Sequence, residues 1–135
     1  MSDTARATLT RYFEAFNAGN IEGMLAELDE NVAHHVNEGQ IRSGKAKFAE
    51  FCAHMERCYK ELLTDIVIFT GADGNRAAAE FTVNGTYLQT DEGLPDARGQ
   101  KYRLPAGSFM SLSDGKITRI TTYYNLVDWV RQVSE

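Results

Sequence analysis

The period of the hydrophobic pattern changes at Leu62 of this 135-residue chain, and that switch constrains the fold more than any other feature. Before it, apolar residues recur at helical spacing. Leu9, Tyr12, Phe13 and Phe16 fall at i, i+3, i+4 and i+7 and make one stripe. Asn17-Ala18-Gly19 ends that helix, with Gly19 suited to the left-handed position that follows a helix. Asn20 is placed to cap a second helix, whose Ile21, Met24, Leu25 and Leu28 repeat the spacing. A short strand-like segment at 31–37 carries His34 and His35. Arg42-Ser43-Gly44 then turns the chain, and Ser43 is placed to cap a third helix with Phe48, Phe51, Cys52, Met55 and Tyr59 as its buried stripe.

From Leu62 the period becomes two. Residues 62–70 and 76–88 read as strands joined by Gly71-Ala72-Asp73-Gly74-Asn75, a loop of turn formers. In the second strand Ala79, Phe81, Val83 and Tyr87 alternate with Glu80, Thr82, Asn84 and Thr86, which suits a sheet covered on one face. Residues 89–100 form a long polar loop. Strands at 102–112 and 116–124 follow, paired through Asp114-Gly115, and Leu126, Val127, Trp129 and Val130 suggest a short closing helix. Three helices with one early strand, followed by a four-strand meander, predict an α+β cone with a pocket at its open end.

Composition narrows the function classes. The length fits a single domain spanning 1–135. A net charge of -5 leaves no basic footprint for nucleic acid, and no apolar run is long enough to span a membrane. Cys52 and Cys58 point to different faces of one helix and are not expected to bond each other. With no secretory signal in the first residues, they suggest a reducing cytoplasm.

His34 and His35 are the most informative pair. Neighbours on a strand face opposite sides, so one imidazole points inward, and histidine titrates near neutrality. Asn37 shares the parity of His35. A metal site from His34, His35 and Glu38 is disfavoured because adjacent strand histidines diverge, so no metal and no cofactor are expected.

Arg11-Tyr12-Phe13 with Asn17-Ala18-Gly19-Asn20, then Arg42-Ser43-Gly44, then Phe81-Thr82-Val83, resemble the NTF2-like superfamily, specifically its ketosteroid isomerases and SnoaL-like polyketide cyclases. Gly85-Thr86-Tyr87, Thr90-Asp91-Glu92-Gly93-Leu94-Pro95 and Tyr123-Tyr124-Asn125-Leu126 further resemble a ketosteroid isomerase-related subgroup. The resemblance implies an NTF2-like cone, three N-terminal helices packed on a curved, mainly antiparallel sheet enclosing a pocket.

Carried over residue by residue, the family's donor tyrosine falls on Tyr12, its catalytic base on His35, its donor aspartic acid on Gly107 and a supporting tyrosine on Cys52. His34 is then expected to face outward. The implied lining is Tyr12, His35, Phe51, Met55, Phe81, Val83, Gly85, Phe109, Ile120, Thr122 and Tyr124, with Gly85 and Gly107 removing bulk from the wall. Losing an oxyanion donor costs on the order of 100- to 1000-fold in rate, so efficient steroid isomerisation is not expected.

The leading expectation is an isomerase-, cyclase- or hydrolase-like enzyme acting on a small hydrophobic carbonyl or ring ligand, with His35 as base and Tyr12 as donor. The alternative is a non-catalytic ligand-binding or dimerisation module. A homodimer through the polar outer row Glu80, Thr82, Asn84 and Thr86 suits either. Asp91, Glu92, Asp96 and Arg98 place a charged loop where it can act as a lid.

Overall fold

The computed structural model describes residues 2–36 and 40–135, so Asn37 and Glu38 lie outside the described residues. Helix α1 (Ser2–Asn17) matches the first apolar stripe and buries Leu9, Tyr12 and Phe13. Gly19, at φ 69°, turns the chain there, and the Asn20 amide bonds back to the Ala15 carbonyl at 2.9 Å. Helix α2 (Ile21–Leu25) is short. The Asn20 side chain caps it, accepting from the Gly23 N–H at 3.0 Å.

Strand β1 (Leu28–His35) pairs antiparallel with β2 (Ile41–Ser43) and parallel with β6 (Lys116–Tyr124). Leu28 therefore belongs to a strand and not to the second helix. Ser43 is consumed by pairing with Ala33, so the third helix, α3 (Lys45–Cys58), starts from Gly44 at φ 98° with no side-chain cap. Strand β3 (Tyr59–Thr70) begins directly after α3, which makes Tyr59 a strand residue.

The remaining strands are β4 (Arg76–Tyr87) and β5 (Lys101–Ser113), and helix α4 (Leu126–Ser134) closes the chain. Sheet order is β2-β1-β6-β5-β4-β3, antiparallel except for β1 and β6, and the curved sheet does not close. Asp114 and Gly115 both have positive φ, as a two-residue hairpin turn requires. Among the described residues the helices number four: the expected closing helix is α4, which buries Trp129 and Val133, and the three earlier helices are not one N-terminal block because β1 and β2 intervene before α3.

Alternation decides what each strand presents. In β4 Ala77, Ala79, Phe81, Val83 and Tyr87 are buried, and in β5 Tyr102, Leu104, Ser108, Met110 and Leu112 are. These residues share the core with α1 and α3. Asn17 completes the edge strand β3: its amide donates to the Leu63 carbonyl and its oxygen accepts from the Leu63 N–H, both at 2.9 Å.

Candidate functional site

A cavity of about 780 Å³ lies between the concave sheet face and the helices. Of the expected lining, Tyr12, His35, Phe51, Met55, Phe81, Val83, Ile120, Thr122 and Tyr124 border it, and Gly85, Gly107 and Phe109 do not. The exceptions follow from strand geometry. Gly107 and Phe109 have the odd parity of β5, and Phe109 is half exposed against Tyr123, ring centroids 5.8 Å apart. Gly85 does face inward, but the ring of Tyr102 covers it and would stand 2.1 Å from an added Cβ. Neither glycine widens the cavity.

The histidines exchange the orientations expected of them. Val32 and His34 share the inner parity of β1, and His34 is 6% exposed, with its ring edge-on to Phe51 at 4.5 Å and Phe48 at 5.1 Å. His35 is partly exposed and reaches the cavity at its rim. The signal was present in the sequence: Val32, two residues before His34, marks the buried face. Nδ1 of His34 is enclosed with no hydrogen-bond partner among the described residues. Burial, with the charge of Arg42 and the His35 ring nearby, pulls the His34 pKa down to about 4, so the imidazole is neutral at neutral pH.

Tyr12 projects from α1 onto the same part of α3. Burial, reinforced by Cys52, raises its phenol pKa above the ordinary value, so it stays a proton-bearing donor. Desolvation and Cys52, with no hydrogen bond, set that shift. Cys52 also borders the cavity, and burial with Glu56 pushes its thiol up to about 11, which leaves it un-ionised.

A carboxyl group absent from the expected set is present on β3. Glu61 borders the cavity, and the Tyr102 hydroxyl donates to its Oε2 at 2.5 Å. Burial raises the Glu61 pKa even against that hydrogen bond. Next to it Leu62 is 49% exposed, an inversion of the usual rule that a hydropathy reading would reject. Ser108 and Thr122 share a hydrogen bond at 2.7 Å on the same inner face. The inward acid thus comes from Glu61, and the β5 position nearest the expected donor is Ser108, one residue beyond Gly107.

At the rim, residues 88–100 are tied to the body. Asp91 accepts from Tyr59 Oη at 2.7 Å and pairs with His54 Nε2 at 2.9 Å, while Tyr87 Oη accepts from the Asp91 N–H and donates to the Pro95 carbonyl. Arg98 and Gln100 bond to carbonyls of the C-terminal residues Glu135 and Val133. Of the charged loop residues, Asp91 and Arg98 are tied to the body of the structure.

An uncharged imidazole, a free phenol and a carboxyl group of raised pKa around one apolar chamber form a set suited to general acid–base chemistry on a small molecule. A family model for the SnoaL-like domain matches residues 9–120. The chain belongs to the SnoaL-like family. No curated protein matches it. Among solved structures, this SnoaL-like chain is similar to a proposed polyketide cyclase of Silicibacter sp. tm1040, with 69% identity, TM-score 0.95, and 97% of this chain and 96% of that one covered. It is also similar to a proposed polyketide cyclase of Pseudomonas putida kt2440, with 56% identity, TM-score 0.94, and coverage of 96% and 97%. An NTF2-like protein of Burkholderia xenovorans LB400, 14% identical, shares the fold at TM-score 0.78 with 98% of each chain covered. None of the helices is long and apolar enough to cross a membrane, among the described residues.

Proposed function

We propose that this SnoaL-like protein is an enzyme that moves a proton on a small, mostly apolar carbonyl or ring compound, with Tyr12 as hydrogen-bond donor and a β1 histidine as base. Of the two histidines, we favour His34. The observation that carries this reading is that the His34 and Tyr12 side chains line one cavity while His34 Nδ1 is buried without a hydrogen-bond partner among the described residues. A buried polar group without a partner costs about 1–3 kcal/mol, a cost a plain apolar core position avoids.

In the proposed reaction the neutral imidazole takes a proton from a carbon next to the ligand carbonyl, through the ring nitrogen that faces the cavity. Negative charge develops on the carbonyl oxygen. The Tyr12 hydroxyl is the group placed to donate to it, and Glu61, whose pKa burial raises, is a further acid on the cavity wall. A base of low pKa is serviceable when the enolate oxygen is stabilised this way, because the donors lower the cost of forming the carbanion. Returning the proton to another carbon gives isomerisation. Attack of the enolate carbon on a second carbonyl gives ring closure, the chemistry for which the structures at 69% and 56% identity are named.

The test is deuterium incorporation at the α-carbon of a panel of cyclic ketones and β-keto esters in D₂O, followed by NMR. Wild-type protein should catalyse exchange, with His34→Ala and Tyr12→Phe slower by roughly 100-fold. If His35→Ala abolishes exchange and His34→Ala does not, His35 is the base. If nothing exchanges while native mass spectrometry shows a ligand held intact, the protein is a binding module.

We also propose that two copies pair through the outer sheet face. Leu62, Phe69, Phe109 and Tyr123 are each about half exposed there, beside Glu80. Light scattering should give a dimer mass, and Phe109→Glu should lower it to a monomer.

A further inference from the structure

A second cluster of reactive side chains lies at the cavity rim and uses none of the groups invoked above. His54 and Cys58 stand one turn apart on α3, and Asp91 reaches them from the 88–100 segment. Their donor atoms all lie within 4.8 Å of one another. Nε2 of His54 is 2.9 Å from Asp91 Oδ1 and 4.0 Å from Cys58 Sγ. The same ring nitrogen serves both contacts. A nucleophile–base–acid relay needs the two ring nitrogens separately, one for each neighbour. Convergence on a single nitrogen is instead the arrangement of ligands around a common point.

We propose that His54, Cys58 and Asp91 bind a divalent transition-metal ion of the Zn²⁺ class, which clasps the 88–100 segment to α3. Zn–N and Zn–O distances near 2.0–2.2 Å and Zn–S near 2.3 Å imply tetrahedral donor separations of about 3.3–3.8 Å. The two contacts to Nε2 bracket that range, and the remaining Cys58–Asp91 pair, within 4.8 Å, closes with side-chain shifts of up to about 1 Å. Mixed nitrogen, sulfur and oxygen donors select Zn²⁺ or Co²⁺ over Ca²⁺ and Mg²⁺.

The surroundings also suit a ligand set. The second oxygen of Asp91 is fixed by the buried Tyr59 hydroxyl at 2.7 Å, and its backbone N–H by Tyr87 at 2.9 Å, the outer-shell support that orients metal carboxylates. Binding the ion releases the thiol proton, so thiolate and carboxylate together balance a dication. Three protein ligands leave a fourth position for water or a ligand atom, and His54, Tyr59 and Asp91 all border the cavity.

The experiment is titration of the chelator-treated protein with Co²⁺, then displacement by Zn²⁺. One ion per chain is expected, with a thiolate-to-cobalt charge-transfer absorption that Cys58→Ser eliminates. His54→Gln and Asp91→Asn should each weaken binding at least 10-fold, and Tyr59→Phe by about 10- to 100-fold. Cys58 is buried, so its variant carries a folding risk. The His54 side chain is 41% exposed, and His54→Gln keeps the test decisive. A folded wild-type protein without the charge-transfer band, or binding that His54→Gln and Asp91→Asn leave unchanged, overturns the proposal. Loss of metal binding with α-carbon exchange intact separates this site from the proton-transfer reading.

Discussion

The ring of Tyr102 occupies the place where any side chain on Gly85 would stand, with Cζ 2.1 Å from an added Cβ. The glycine is what lets the phenol lie against β4 and reach Glu61. Gly85→Ala should therefore destabilise the protein by about 1–3 kcal/mol, as overpacking does. Urea denaturation measures this. In a Tyr102→Ala background the same change should cost little, because the obstructing ring is gone.

Tyr12→Phe should separate stability from function. Desolvation and Cys52, with no hydrogen bond, set the state of this hydroxyl, so its removal forfeits none. The melting temperature should hold or rise slightly, while α-carbon exchange falls roughly 100-fold. A marked loss of stability would show that the phenol has a structural partner and is not a free donor.

His34 should make stability depend on pH. Its folded pKa of about 4 lies below the ordinary 6.5, so between those values the unfolded chain binds more protons. Stability is then fully present above about 6.5 and is lost as pH falls toward about 4. The expected loss is on the order of 1–2 kcal/mol after allowance for solvent screening. Glu61, with a raised pKa, has the opposite slope, so the comparison needed is wild type against His34→Gln. The difference between their denaturation free energies should shrink across that window as pH falls.

Asn17→Ala should open the β3 edge. Both amide bonds to Leu63 would be lost, leaving a backbone N–H and a carbonyl unpaired beside a buried side chain. A loss of about 1–3 kcal/mol is expected, with faster hydrogen exchange at the Leu63 amide as the local readout.

The fold was largely legible because its core obeys periodicity. The α1 stripe, the alternation of β4 and the Asp114-Gly115 turn each have a local cause. The site was less legible because a ligand chamber reverses that logic. Glu61 points in and Leu62 points out, so the pattern that finds core residues discards the acid. The histidine orientation follows the parity of buried Val32, which family correspondence does not carry. Gly107 against Ser108 is a slip of one residue, and in a strand one residue exchanges the inside for the outside. The His54–Cys58–Asp91 cluster joins a helix to a loop 33 residues beyond Cys58 in the chain, a proximity that only the folded β3–β4 hairpin creates.

The parallel pairing of β1 with β6 also sets an order of events. His34 and His35 lie opposite Ile120 and Thr121, more than half the chain away. Such contacts close a long loop and are costly to form early. During synthesis α1, α2 and the β3–β4 hairpin can be complete while the histidine strand, already beside β2, still lacks its β6 neighbour. The chemistry-bearing wall is the last part of the chamber to be assembled, so the protein gains its reactive interior only when almost the whole chain is present to enclose it.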